Sequence, residues 1–356
     1  MDIKNFFKKS RKFYLLALLL LIFTVPLALS GCRDWGGSSG TSSSSPTSPV
    51  ASGNVWVANN GSNSVTELSP SGTVIGTYAA GSHSNAIAID SSGNVWVANV
   101  SSNSVTELSP SGTVIGTYAV GSNPYAIAID SSGNVWVANL SSNNVTELSP
   151  SGALIGTYEV GIGPNAIAID SSGNVWVANL SSNNVTELSP SGTVIGTYAV
   201  GSPPCAIAID SSGNVWVANN SSNSVTELSS SGALIGTYAV GVQPNAIAID
   251  SSGNVWVANW ASNNVTELSP SGTVIGTYAV GNQPYAIAID SSGNVWVANY
   301  GDGTVGTASD DSNVTELSPS GTVIGTYEVG IYPEDIAIDS SGNNGEYFPY
   351  KGPEWP

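Results

Sequence analysis

From residue 54 onward the chain is built of short runs of branched and aromatic residues separated by Gly, Ser, Asn and Pro. One stretch, residues 54–93, contains four such runs, at 55–58, 65–68, 73–78 and 86–89. Each is a few residues long, rich in β-formers and bounded by turn residues, which predicts four strands and leaves no room for a helix. Asp90-Ser91-Ser92-Gly93 and Ser69-Pro70-Ser71-Gly72 both suit type I turns, with Asp or Ser first and Gly fourth. The octet Ser-Gly-Asn-Val-Trp-Val-Ala-Asn then recurs seven times, placing Trp56, Trp96, Trp136, Trp176, Trp216, Trp256 and Trp296 at a constant spacing of forty. A fixed period of this size, filled by four short strands, matches a propeller blade better than a β-helix or leucine-rich coil. The expected fold is all-β, a seven-bladed β-propeller of four-stranded blades. Neighbouring blades cover both faces of each sheet, so Val-Trp-Val-Ala and Ala-Ile-Ala-Ile can be apolar on both sides. Small Ala88 would face one neighbour and large Ile87 and Ile89 the other, while each buried indole N–H needs an acceptor.

The array is out of phase with its blades. It enters at a second strand, and its last clear strand is an inner one, Ile336-Ala337-Ile338-Asp339. Six units are complete, and the seventh must combine three N-terminal strands with one C-terminal strand, which closes the ring and removes exposed edges. The propeller is expected over residues 52–342, followed by an irregular tail, 343–356. Ahead of it, Lys4, Lys8, Lys9, Arg11 and Lys12 precede an uncharged apolar run, residues 14–29, short for a membrane span. That is the layout of a signal peptide, residues 1–31. Leu29-Ser30-Gly31-Cys32 resembles the bacterial lipobox and implies lipidation of Cys32; the competing reading is an uncleaved anchor, and either exports the body. Arg33 rather than aspartate after the cysteine implies, by resemblance to bacterial lipoproteins, an outer-membrane or surface location. Residues 32–51 have the Gly/Ser/Thr/Pro composition of a flexible tether.

The repeat Ala-Ile-Ala-Ile-Asp-Ser-Ser-Gly-Asn-Val-Trp-Val-Ala-Asn, followed by Asn-Ser-Val-Thr-Glu-Leu-Ser-Pro-Ser-Gly, resembles the NHL-type propeller repeat and that of the streptogramin (virginiamycin B) lyases. The resemblance spans about residues 54–339. It implies a propeller firmly and an activity weakly. Such lyases use a histidine base with a metal-associated acidic site, and here no family motif surrounds His83, the single histidine. An isolated imidazole makes neither a zinc site nor a nucleophile-activating pair. No catalytic residue is therefore assigned, and a non-enzymatic role is expected.

Charge narrows the partners. Past residue 31 there are 24 acidic residues, all of the 25 except Asp2, against Arg33 and Lys351, a net charge of about −22. A surface almost without Lys or Arg cannot neutralise phosphates, which excludes nucleic acid and anionic membrane surfaces. Bilayer contact is expected through Cys32 only. With Cys32 and Cys205 as the only cysteines there is no disulfide framework. Asp90, Asp130, Asp170, Asp210, Asp250, Asp290 and Asp339 each end an inner strand. They are weak candidates for holding a divalent cation at one channel mouth, the favoured reading being that each bonds its own turn. Glu67 and its equivalents are expected at solvated positions of a middle strand.

The repeats differ at one end. Links from second to third strand read Asn60, Val100, Leu140, Leu180, Asn220, Trp260 and Tyr300. Links from outer strand to the next inner strand carry His83, Tyr125, Asn165, Cys205, Asn245, Tyr285, and Tyr332 with Glu334. Both emerge on the same face, as does a nine-residue insertion between Tyr300 and Val314 that holds Asp302, Asp310 and Asp311. The turns on the opposite face hardly change. Binding residues concentrate on loops of a rigid scaffold, and exposed aromatics offer flat surface for sugars or peptides. The candidate ligand-binding residues are accordingly Tyr125, Trp260, Tyr285, Tyr300, Asp302 and Tyr332. The leading expectation is a cell-envelope binding or adhesion module for a glycan, peptide or envelope protein, with a metal-dependent lyase and a structural assembly factor as alternatives.

Overall fold

A computed structural model describes residues 53–301 and 311–339. The chain divides after Pro46 into two units, and the described residues belong to the second. The signal segment, Cys32, the tether to residue 51, Asp302, Asp310 and the tail from 343 lie outside them.

The described residues form seven four-stranded antiparallel sheets, the blades of one propeller. Blade 2 runs from inner to outer strand as Ser84–Ile89, Val95–Asn99, Ser104–Leu108 and Val114–Ala119. Blades 3 to 7 repeat this order, beginning with the inner strands Pro124–Ile129, Pro164–Ile169, Pro204–Ile209, Pro244–Ile249 and Pro284–Ile289. Blade 1 joins the last strand, Pro333–Ile338, to Val55–Asn59, Ser64–Leu68 and Val74–Ala79. The expected clasp is thus present, with Val55 opposite Ile338 and Val57 opposite Ile336. It is fastened by the Asp339 amide donating to the Asn54 carbonyl (2.8 Å) and the Asn54 amide donating to Asp339 Oδ1 (2.9 Å). One 3-10 turn, Trp260–Ser262, interrupts the β pattern in blade 6.

The core lies in the seams between blades. In the seam between blades 3 and 4, Ala126, Ala128, Trp136, Ala138 and Val145 meet Ile167, Val175, Val177 and Leu188. Alanines on one inner strand leave room beside the indole, and isoleucines on the next fill it, as the alternation of Ala and Ile implies. All seven repeat tryptophans are at most 1% exposed. An indole buries roughly 150–250 Å², so each contributes on the order of 4–6 kcal/mol of apolar burial before entropy is counted.

The constant turns form as expected: Gly93 N donates to Asp90 O (2.9 Å) and Gly112 N to Ser109 O (2.8 Å). Gly112 has φ +76°, and a Cβ there would stand 2.1 Å from the Tyr78 ring of the preceding blade. Backbone conformation and close packing both require glycine at that corner. The solvated placement expected for Glu67 is overturned. Glu67, Glu107, Glu147, Glu187, Glu227, Glu267 and Glu316 are buried at 3–4% exposure. The third strand is covered on both faces, so a polar side chain there gains no access to water and must find partners within the blade.

Candidate functional site

Two ends of the molecule carry polar side chains, and they are built differently. At the constant end, Asp130 Oδ1 accepts the amides of Ser132 (2.8 Å) and Asn134 (2.9 Å). Its Oδ2 accepts Asn134 Nδ2 and Trp136 Nε1, both at 3.1 Å. Asp90, Asp170, Asp210, Asp250 and Asp290 repeat all four bonds. Each carboxylate holds its own turn and also supplies the acceptor its indole needs. With both oxygens occupied by N–H donors, the aspartate ring does not fit a divalent cation. Among the described residues no group of three or more His, Cys, Asp or Glu is placed to hold a metal. Asp339 serves Asn54 in the same way, while Trp56 Nε1 finds no partner among the described residues.

The network continues outward. Asn94 Nδ2 donates to Glu107 Oε1 (3.2 Å), and Tyr118 Oη donates to Glu107 Oε2 (2.8 Å). The Tyr118 ring stacks on Trp96 at 5.5 Å, a pairing present in every blade. Burial pushes the Glu107 carboxyl above its usual 4.5 against the lowering effect of the tyrosine bond, and Asp90 adds repulsion. Burial and the bond to Glu107 together raise Tyr118 to about 12. The tyrosine-to-glutamate bond of this structural girdle repeats in all seven blades.

The variable end is asymmetric. The second residue of each inner strand is left unpaired at a register shift: Asn85, Tyr125, Asn165, Cys205, Asn245, Tyr285 and Glu334. Tyr125 and Tyr285 are 4% and 6% exposed, not the open aromatic surface expected, because they reach inward. Their hydroxyls lie 3.4 Å apart. They belong to blades 3 and 7, with blades 4 to 6 between them on one side and blades 1 and 2 on the other, so this contact crosses the channel. The bulge residues differ on the two sides of the tyrosine bar. Blades 1 and 2 supply Glu334 and Asn85, and Asn60 Nδ2 is shared between Glu334 Oε2 (3.3 Å) and Asn85 Oδ1 (3.4 Å). Beside them Asp335 replaces the alanine of the other inner strands, and its Oδ2 accepts the Ile87 amide (2.8 Å). Blades 4 to 6 supply Asn165, Cys205 and Asn245. Asn165 is fully buried, and among the described residues neither its Oδ1 nor its Nδ2 is partnered.

Three of the expected residues join this bar into a ladder. Tyr285 packs on Tyr300 at 5.5 Å, and Tyr300 stacks on Tyr332 at 4.5 Å with an interplanar angle of 9°. Tyr300 and Tyr332 are half-buried, so the ladder climbs from the channel to the surface at the junction of blades 7 and 1. Its outer rung depends on a residue the sequence did not single out. Gly61 stands where other blades carry Ser101, Ser141, Ser181 and Ser221, and a Cβ there would meet Tyr332 Cδ2 at 2.7 Å. Ser312 Oγ ties the rungs together, donating to Tyr300 O (2.9 Å) and accepting the Tyr332 amide (3.4 Å). Trp260 is half-buried on the 3-10 turn of blade 6, whose loop bonds through Asn263 to Gln283 on the link into blade 7. Asp302 lies outside the described residues, while its neighbour in the insertion, Asp311, accepts a hydrogen bond from Asn282 Nδ2. Exposed His83 has φ +56°, with its Nδ1 2.6 Å from Ser101 Oγ, on the loop joining blades 1 and 2.

The fold has solved counterparts. A streptogramin B lyase aligns with a TM-score of 0.62 at 19% identity, covering 69% of this chain and 86% of its own. A catalytically inactive histidine-to-alanine variant of virginiamycin B lyase from Staphylococcus aureus, solved with quinupristin, aligns at 0.62 and 16%, covering 80% and 96%. A functionally unknown protein from Desulfotomaculum acetoxidans aligns at 0.69 and 17%, covering 81% and 99%. No curated protein matches the chain in sequence. The family model for the virginiamycin B lyase family matches residues 41–307.

Proposed function

The chain belongs to the virginiamycin B lyase family, and from that premise we propose that it serves as a non-enzymatic binding propeller of the cell envelope, anchored through Cys32, that takes a glycan on its variable face. The tyrosine ladder carries this reading. Stacked phenol rings offer flat apolar faces edged by hydroxyls, the chemistry that packs against sugar rings. Beside the ladder Asn60, Asn85 and Glu334 form a buried polar network, tied to it by the Asn60 amide donating to Tyr332 O (3.0 Å). A peptide or an envelope protein is the narrower alternative on the same surface. The test is a glycan and peptide array probed with the full chain and with a Tyr300→Ala/Tyr332→Ala variant. Glycan binding that the variant loses supports the reading; glycan binding that it keeps, or binding to peptides alone, contradicts it.

Family membership favours one second reading, a metal-dependent lyase. On that reading the base would be His83, whose imidazole is held by Ser101 on the exposed loop joining blades 1 and 2. Opening of a streptogramin B ring that is abolished both by His83→Ala and by a chelator would establish it. An intact substrate after prolonged incubation with divalent metal would set it aside.

A further inference from the structure

The largest apolar surface that the site leaves unused lies on the outer strands. Each outer strand opens with two adjacent branched aliphatics, and both are exposed in blades 1 to 6, as Val114 and Ile115 at 52% each and Leu154 at 65% with Ile155 at 51%, while in blade 7 Val323 is exposed and Ile324 half-buried. Adjacent strand residues normally point to opposite faces, one of them inward. Here the register shifts, pairing Leu108 with Val114 and Glu107 with Gly116, so Ile115 is an unpaired bulge and both side chains meet solvent. The pair follows the turn Ser109-Pro110-Ser111-Gly112, which places it at the outer rim of the constant face. Equivalent pairs in the other blades complete a ring coaxial with the propeller. The rim is uncharged. Its turns are Ser, Pro and Gly, and the outer strands carry acid only at Glu159 and Glu328, which sit at their opposite, variable-face ends.

The described chain also begins at this face. Asn54 is bonded to Asp339, which occupies the constant-turn position of Asp90. The first described residues, Gly53 and Asn54, therefore lie at the constant side, and a Gly/Ser-rich composition like that of residues 33–52 gives a span on the order of 25 Å for about twenty residues. A planar ring of exposed aliphatics around the entry point of a lipid-bearing segment fits a planar apolar partner.

We propose that the aliphatic rim of the constant face rests on the interfacial region of the bilayer that holds Cys32, so that the variable face points away from the membrane. The partner is a zwitterionic lipid surface, since the seven aspartates inside the rim would be repelled by anionic headgroups. A second copy fits less well. Stacking through the constant faces would oppose two aspartate rings, and contact between outer strands would cover the aliphatics of only one blade. The proposal adds a second bilayer contact to Cys32 and rests on the lipid-anchor reading of that residue.

The experiment uses the full chain expressed in a bacterium that processes lipoproteins, carrying Cys205→Ala and one reporter cysteine. Ser111→Cys reports from a constant turn and Ser141→Cys from a variable loop, both at exposed positions. Each is labelled with an environment-sensitive fluorophore and reconstituted into phosphatidylcholine vesicles containing lipid with a quencher on the acyl chain. The expected result is at least threefold stronger quenching at position 111 than at 141, reduced when the aliphatic pairs of several blades are changed to serine. Equal quenching at both positions, stronger quenching at 141, or quenching at neither overturns the orientation, and label-to-label self-quenching at 111 assigns the rim to a second copy instead. Incorporation of labelled fatty acid, lost in Cys32→Ser, is measured in parallel. Acylation without quenching at 111 refutes this orientation alone, whereas absence of acylation removes the anchor reading and this proposal with it.

Discussion

The two ends of the propeller are made from the same repeat, yet one is nearly identical in every blade and the other differs in each. At the constant end of blades 2 to 7 a single aspartate holds two backbone amides, an asparagine and an indole, so a change there disturbs both a turn and a seam. At the variable end the loops bond mainly to one another, as when Leu140 N donates to Asn123 O at 2.8 Å and Ser141 N to Ser122 O at 3.2 Å. Backbone bonds of that kind accept many side chains. The difference separates residues required by folding from residues free to acquire a ligand.

Substitutions at matched positions of one blade should sharpen this contrast. Trp136→Ala leaves an indole-sized cavity in a closed seam and should cost about 3–5 kcal/mol by urea denaturation. Asp130→Ala leaves the Trp136 indole and the turn donors without their acceptor, and should cost about 1–3 kcal/mol. Leu140→Ala, on a variable loop of the same blade, should change stability by only about 0.5 kcal/mol. If Leu140→Ala proved as costly as Asp130→Ala, the division of labour between the two ends would be wrong.

pH should act through the constant girdle. Six glutamates, Glu107, Glu147, Glu187, Glu227, Glu267 and Glu316, sit above their usual 4.5 in the fold, so the folded state holds their protons more tightly. Their contribution is full below the usual value and is lost as pH rises through the raised one, so the melting temperature should rise on mild acidification from neutral. Tyr78, Tyr118, Tyr158, Tyr198, Tyr238 and Tyr278 are raised from 10.0 to about 12. Their stabilisation is intact below 10 and should be lost steeply between pH 10 and 12, as followed by circular dichroism. A melting temperature that fell on going from pH 7 to pH 5.5 would contradict the glutamate assignment.

The fold was legible because its determinants are local and repeated. Strand runs, Gly-ended turns and the forty-residue period each sit within one unit, and the phase of the array implied the clasp between Val55 and Ile338. The burial of Glu107 was missed although both sheet faces were expected to be covered, because a carboxylate is buried only where partners await it, and those partners, Asn94 and Tyr118, lie 13 and 11 residues away. The site was legible only as a face. Tyr125 and Tyr285 stand 160 residues apart in sequence, and nothing local says that ring closure brings their hydroxyls together. Gly61 was not singled out, although its departure from the serine of most other blades was the available signal; its meaning depends on Tyr332, which arrives from the far end of the chain. Long-range contacts of that kind need the closed ring before they can be read.

Gly61→Ser tests the central claim most directly, because it restores the residue common in other blades while displacing the outer rung of the ladder. The variant and the native chain would be compared for glycan binding on the array, with thermal melts recorded in parallel. The account predicts a melting temperature within a few degrees of native, with binding weakened at least tenfold. Undiminished binding by a Gly61→Ser protein would show that the ladder at the junction of blades 7 and 1 is not the ligand surface.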